Sequence, residues 1–195
     1  MNWQVIFNPF SKFSEKQLFI FGLFSLMLNF VVCFYTKIEM DSIFHFSSNE
    51  NLTLKSSFLK VTISCISGII FLFLLAIIIN KKSRFIDVVN TVLLSQSPNF
   101  LILLFIKFSG MNELSKNLKS SSGSINSLSV STNDMLLLLF TILILLPIMI
   151  YGFVLIYNGF KTTTNFKKWQ HIVIFIVSLF IFILFHQIYI QHLEL

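Results

Sequence analysis

The chain has 195 residues, of which 55% are hydrophobic and only 11% charged, whereas soluble domains carry roughly a quarter charged residues. Its formal charge of +6 sits at the ends of apolar segments, where lysines set membrane topology. No basic-aromatic platform of the kind that binds nucleic acid accompanies that charge, so nucleic acid is excluded as a partner. Each bilayer crossing takes about 20 mostly apolar residues, so five crossings with short connections fill the chain. The expected fold is all-α: a polytopic five-helix membrane domain over 17–190, with no soluble catalytic domain.

Residues 1–16 place Trp3, Ile6, Phe7, Phe10 and Phe13 at helix-like spacing. Two readings stand: a cytoplasmic segment lying in the membrane interface, or a short tail with its aromatics at headgroup level. Asn8-Pro9 has the form of an N-cap and a first helical residue. The apolar run that follows is too long for a cleaved secretory signal and lacks a small-x-small cleavage site.

Span 1 covers about 18–35, with Gly22, Ser25 and Asn29 on one face. Asn29, near mid-membrane, is expected to hydrogen-bond to a neighbouring helix. Residues 36–60 read as an extramembrane loop in which Lys37, Lys55 and Lys60 offset Glu39, Asp41 and Glu50. The loop contains Asn51-Leu52-Thr53, a glycosylation sequon with meaning only in a eukaryotic secretory pathway. Span 2, about 61–79, carries Ser64 and Gly68, a small-x-x-x-small pair that lets another backbone approach closely.

The basic turn Lys81-Lys82-Ser83-Arg84 leads into span 3, about 85–108, the stretch around which the chain is organised. At 100° per residue Asp87, Asn90, Thr91, Ser95 and Pro98 share one helical face. Pro98 predicts a kink, a broken helix or a re-entrant segment. Asp87 is open to two readings: a helix-end charge paired with Arg84 three residues earlier, or the mouth of a polar cleft that continues through Asn90 and Thr91.

Residues 109–134 hold nine serines and no aromatic residue and read as a flexible loop. Span 4, about 135–157, contains Pro147 and Gly152, a second expected discontinuity; paired breaks mark some transporter sites, although packing kinks are commoner. A short basic connection with Lys161, Lys167 and Lys168 precedes span 5, about 172–190, with Trp169 and Tyr189 as interface anchors, and residues 191–195 form a short outer tail.

Lys12, Lys16, Lys81, Lys82, Arg84, Lys161, Lys167 and Lys168 fall on one side, in the tail and two tight turns. That side is expected to be cytoplasmic, with the C-terminus outside. Lys81, Lys82, Arg84, Lys161, Lys167 and Lys168 are the candidate contacts for lipid headgroups or partners, or else set topology alone.

Cys33 and Cys65 lie inside spans and read as packing residues. His45, His171, His186 and His192 are too scattered for a metal site. His186 and Gln187 are placed to pair with another helix. No nucleophile, base and acid converge, and the six glycines form no phosphate-binding loop. No cofactor and no enzymatic activity are therefore expected.

The layout resembles the Yip family, the Ypt/Rab GTPase-interacting proteins, and in particular its small bacterial members. The likeness rests on five spans, a polar third span with a proline, and a basic turn before the last span. Where the eukaryotic third span has Gly-Tyr and a later Pro, this chain has Asn90, Thr91 and Pro98, so the proline alone matches. Near the start, Asn8-Pro9-Phe10-Ser11 stands in place of the family's Asp-Leu-Tyr-Gly-Pro signature. The resemblance implies a non-enzymatic protein of a bacterial inner membrane that binds or organises other membrane components. Membrane lipids, other membrane proteins or further copies of itself are the implied partners, with no small GTPase in a bacterium. The alternative is a small oligomeric transporter or channel subunit that uses the polar face of span 3.

Overall fold

The computed structural model describes residues 3 to 110 and 132 to 192. Most of the serine-rich stretch 109–134, and the end of the 191–195 tail, lie outside the described residues. Among the described residues the chain is a helical bundle with one small sheet, and five helical segments are long and apolar enough to cross a membrane. This is the make-up of a multi-pass membrane protein. The spans are α2 (Glu15–Thr36), α3 (Leu54–Ile79), the pair α4 (Phe85–Ser95) and α5 (Asn99–Phe108), α6 (Thr132–Thr164) and α7 (Trp169–His192).

Local sequence sets the helix ends. Ser14 and Thr53 each form a reciprocal capping box, with Gln17 and Ser56 respectively, so two orphan backbone donors are satisfied at the start of α2 and of α3. Lys37 and Asn165 adopt left-handed conformations, with φ of 59° and 49°. Their N–H groups return to the carbonyls of Cys33 and Lys161, which closes α2 and α6. The α6 helix continues seven residues past Tyr157, where the sequence places the end of span 4. Thr162, Thr163 and Thr164 there turn their hydroxyls back to the carbonyls four residues earlier, a bond that threonine makes without leaving the helix.

Span 3 is the central helix. Over its most apolar 18 residues 56% are buried, against 17–33% in the other four. Two glycines on other helices let it sit there. A Cβ on Gly22 of α2 would lie 2.6 Å from Leu93 Cβ, and one on Gly159 of α6 would lie 2.6 Å from the Thr91 side chain. Pro98 breaks this helix, since it has no N–H to give to the Leu94 carbonyl. Ser97 N–H takes that carbonyl at 3.0 Å instead, and the Gln96 carbonyl accepts from Asn99 N–H at 3.1 Å and from Asn29 Nδ2 at 2.9 Å. The interhelical bond expected of Asn29 therefore repairs the break. Pro147 does not act this way: α6 runs through it as one helix, with the proline on an exposed face.

The stretch 36–60, read above as an extramembrane loop, is a hairpin folded into the bundle followed by the first turns of α3. Strands β1 (Ile38–Ser42) and β2 (His45–Ser48) pair antiparallel, Met40 opposite Phe46, with an irregularity between Met40 and Ser42. Every residue from Ile38 to Phe44 is buried. Backbone placed so deep must find partners inside the protein. Ser64 Oγ donates to the Met40 carbonyl at 3.1 Å, His186 Nδ1 to that of Asp41 at 2.8 Å, and Asn99 Nδ2 to that of Ile43 at 2.9 Å. Ile43 fills the space over Gly68, and Phe44 rests on Gly152 and on the ring of Phe153, 4.6 Å away. The Ser64/Gly68 pair thus admits a hairpin tip where the sequence suggested a helix.

The charges of the hairpin are buried with it. Lys60 Nζ meets Glu39 at 2.7 Å, with side-chain exposures of 7% and 9%. Ser47 Oγ and Asn49 Nδ2 complete the same carboxylate. Asp41 faces His45 at 3.2 Å. On α7, His186 presents its second nitrogen to the Ser67 hydroxyl at 2.6 Å, and Phe182 stacks on Phe71 at 4.4 Å.

At the opposite end of the bundle, α1 (Trp3–Phe7) and a 3-10 turn (Pro9–Ser11) run along α6. Asn8 makes no side-chain cap here, and the regular helix begins at Glu15. Phe10 meets Gly159, the Phe7 carbonyl accepts from Asn158 Nδ2 at 2.7 Å, and the Ile6 carbonyl accepts from the Tyr151 hydroxyl at 3.1 Å. From Gly159 to Tyr151 is eight residues, about 12 Å of helix. The segment therefore runs along α6 from Gly159 to Tyr151.

Candidate functional site at the basic end

The end that carries Glu15, the turn at 80–84 and the link at 165–168 gathers most of the residues singled out in the sequence. Asn80 Nδ2 donates to the Thr164 carbonyl at 3.0 Å, so the two basic turns are tied together. Around them Lys81, Lys82, Arg84, Lys161, Lys167 and Lys168 are all exposed. Lys161 holds its ammonium 5.8 Å from the centre of the Tyr157 ring.

Between the turns lies a cleft of about 190 Å³, lined by Glu15, Arg84, Asp87, Asn90, Thr162 and Thr163. Its floor is the contact of Thr91 and Phe10 with Gly159. Arg84 Nη2 donates to Glu15 of α2, where the sequence suggested pairing with Asp87. That hydrogen bond, and after it the charges of Asp87 and Glu15, push the guanidinium pKa above its ordinary value. Asp87 stands half-exposed in the first turn of α4, where a carboxylate also suits the helix dipole.

The structure does not bring the five residues of the polar stripe into one cavity. Asp87 and Asn90 reach the cleft, and buried Asn90 gives its amide to the Glu15 carbonyl at 3.2 Å. Thr91 returns its hydroxyl to Asp87 O at 2.8 Å and packs on Gly159. Ser95 is buried and bonds Val92 O at 2.8 Å. Pro98 is buried at the break. Four of these residues join or shape helices, and Asp87 alone presents its polar group to the opening.

Sequence reasoning missed the partners of the stripe. Glu15 was visible as the lone acid before span 1, but its approach to Arg84 depends on α2 packing against α4. Thr162 and Thr163, which the sequence places in the connection before span 5, sit on the last turn of α6. Gln96 and Asn99 lie beyond the chosen stripe, and both are fully buried at the break. Among the described residues no three His, Cys, Asp or Glu side chains gather as metal ligands would, and Cys33 and Cys65 are separate, buried thiols. The chain matches no family model, no curated protein and no solved structure.

Proposed function

We propose that this is a non-enzymatic integral membrane protein, Yip-like in its span layout, that binds or organises other membrane components through its basic end. One observation supports this reading above the others. In span 3, Asn90 bonds to α2 and Thr91 and Ser95 bond carbonyls of their own helix, while six basic residues at one end are exposed around a small cleft. At the hairpin end, by contrast, Lys37 and Lys60 are folded into the protein: Lys37 gives its ammonium to Leu52 O at 2.7 Å and Lys60 to Glu39. Six exposed basic residues at one end, against the exposed Lys55 and Lys107 at the hairpin end among the described residues, accord with a basic end in the cytoplasm of a bacterial cell. They are also placed to meet anionic headgroups or acidic partner segments.

The test is mild crosslinking in the native membrane followed by recovery of the full chain. Reproducible recovery of a membrane partner, lost on charge reversal at Lys167 and Lys168 with topology verified, is the expected result. Unchanged recovery would remove those residues as contacts.

A second reading, an oligomeric transporter or channel subunit, draws on the broken span 3, where Asn29, Gln96 and Asn99 are buried beside the hairpin tip. Discontinuous helices carry substrate sites in many transporters. That reading requires solute or proton flux in liposomes that Asp87→Asn abolishes. An absence of wild-type flux would count against it.

A further inference from the structure

On the side of the bundle away from the cleft, α6 and α7 are separated by a groove of about 420 Å³. It is lined by Ile150, Phe153 and Tyr157 on α6 and by Ile176, Leu179 and Ile183 on α7. Its inner wall is built on the hairpin, through the contact of Phe153 with Phe44. Towards the basic end it is closed by stacked rings: Phe160 and Phe175 lie 4.6 Å apart, and Phe166 packs on both Phe160 and Tyr157. Its volume is that of a ligand pocket, about 300–1,000 Å³. Its lining offers hydrocarbon and aromatic carbon almost throughout.

The residues beside its closed end select what enters. Tyr157 lines the groove and also carries Lys161 over its ring. Lys167 and Lys168 lie exposed in the link joining the two helices that form the groove, and Trp169, 69% exposed, begins α7. Among the described residues no carboxylate comes within ion-pair distance of these three lysines, whereas Arg84 is already paired with Glu15. The cleft therefore mixes its signs, and the groove is bordered by uncompensated positive charge. From Tyr157 to Thr164 is seven residues, about 10 Å of helix, enough to cross the headgroup layer and the first chain carbons.

We propose that the groove holds one acyl chain of an anionic phospholipid whose phosphate is bound by Lys161, Lys167 and Lys168. The proposal deepens the reading of the basic end as a contact face and rests on it, with lipid named as the component bound on the α6–α7 side. The chain contributes burial and the lysines contribute headgroup selection.

The full-length protein, purified in mild detergent, is offered phosphatidylglycerol and phosphatidylcholine of identical chains at equal concentration, and retained lipid is read by native mass spectrometry. Wild type is expected to keep one phosphatidylglycerol in at least tenfold preference. Lys161→Gln with Lys168→Gln should abolish most of that preference, since each lysine near an anionic headgroup contributes about fivefold. Ile176→Phe fills the groove with the charges intact and should release both lipids. Equal retention of the two lipids by wild type, or selectivity unchanged without the lysines, would overturn the proposal. So would efficient crosslinking between two copies through Ile176→Cys, which would show a second copy covering the groove. Should lipid selectivity fail while partner recovery at the basic end persists, the lipid site falls and the broader reading stands.

Discussion

Glu39 and Lys60 meet at the hairpin end of the bundle with less than a tenth of either side chain exposed, whereas Arg84 and Glu15 pair at the basic end with 61% and 41% exposed. The chemical pairing is similar and its setting is opposite. Ions taken out of water cost several kcal/mol each and are tolerated only when geometry and extra hydrogen bonds offset that cost. Ser47 and Asn49 supply those bonds on Glu39. An exposed pair contributes about 0–1 kcal/mol. The Glu39–Lys60 pair therefore specifies structure, whereas the Arg84–Glu15 pair contributes little to it and stays exposed.

The largest effect that would break this contrast is expected from Lys60→Met. It strands the Glu39 carboxylate and should lower stability by about 3–5 kcal/mol, measured by denaturant unfolding in detergent. Replacing both partners, Glu39→Gln with Lys60→Met, should restore most of the loss. A Lys60→Met protein as stable as wild type would mean that the hairpin charges are solvated.

Asn99→Leu is expected to cost about 1–3 kcal/mol, because the buried Ile43 carbonyl loses its donor. Asn90→Leu, whose bond to the Glu15 carbonyl is longer and lies beside the cleft, should cost less. A reversal of that order would place the tighter interior at the basic end. Arg84→Gln should leave stability close to that of wild type, because its pair with Glu15 is exposed. Asp87→Asn should leave partner recovery intact, and a loss of recovery would assign the cleft itself to recognition.

Five spans, the central place of span 3 and the break at Pro98 were legible because apolar length, a polar stripe and a missing N–H are local properties of the chain. The interhelical role of Asn29 was legible for a similar reason, since a lone amide in an apolar segment has few other uses. The hairpin was not. Residues 36–60 carry three lysines and three carboxylates that cancel in the sequence, and only the approach of Lys60, Ser64, Asn99 and His186 from other segments makes burial of the hairpin tolerable. Pro147 misled for the converse reason: on an exposed helix face it disturbs little that the bundle depends on. At the candidate site the basic residues were readable from their spacing. Glu15 and Thr162 were not, because helix packing alone brings them to Arg84 and Asp87.

The most direct test of the contrast between the two ends places a photoreactive side chain at Lys82, Lys168 or Lys55 in turn. All three positions are exposed, the first two at the basic end and the third at the hairpin end. Adduct yield is then measured after irradiation in the native membrane. Lipid or protein adducts several-fold more abundant at positions 82 and 168 than at 55 are the predicted result. Equal or greater yield at position 55 would contradict the assignment of the basic end as the face through which this protein meets other membrane components.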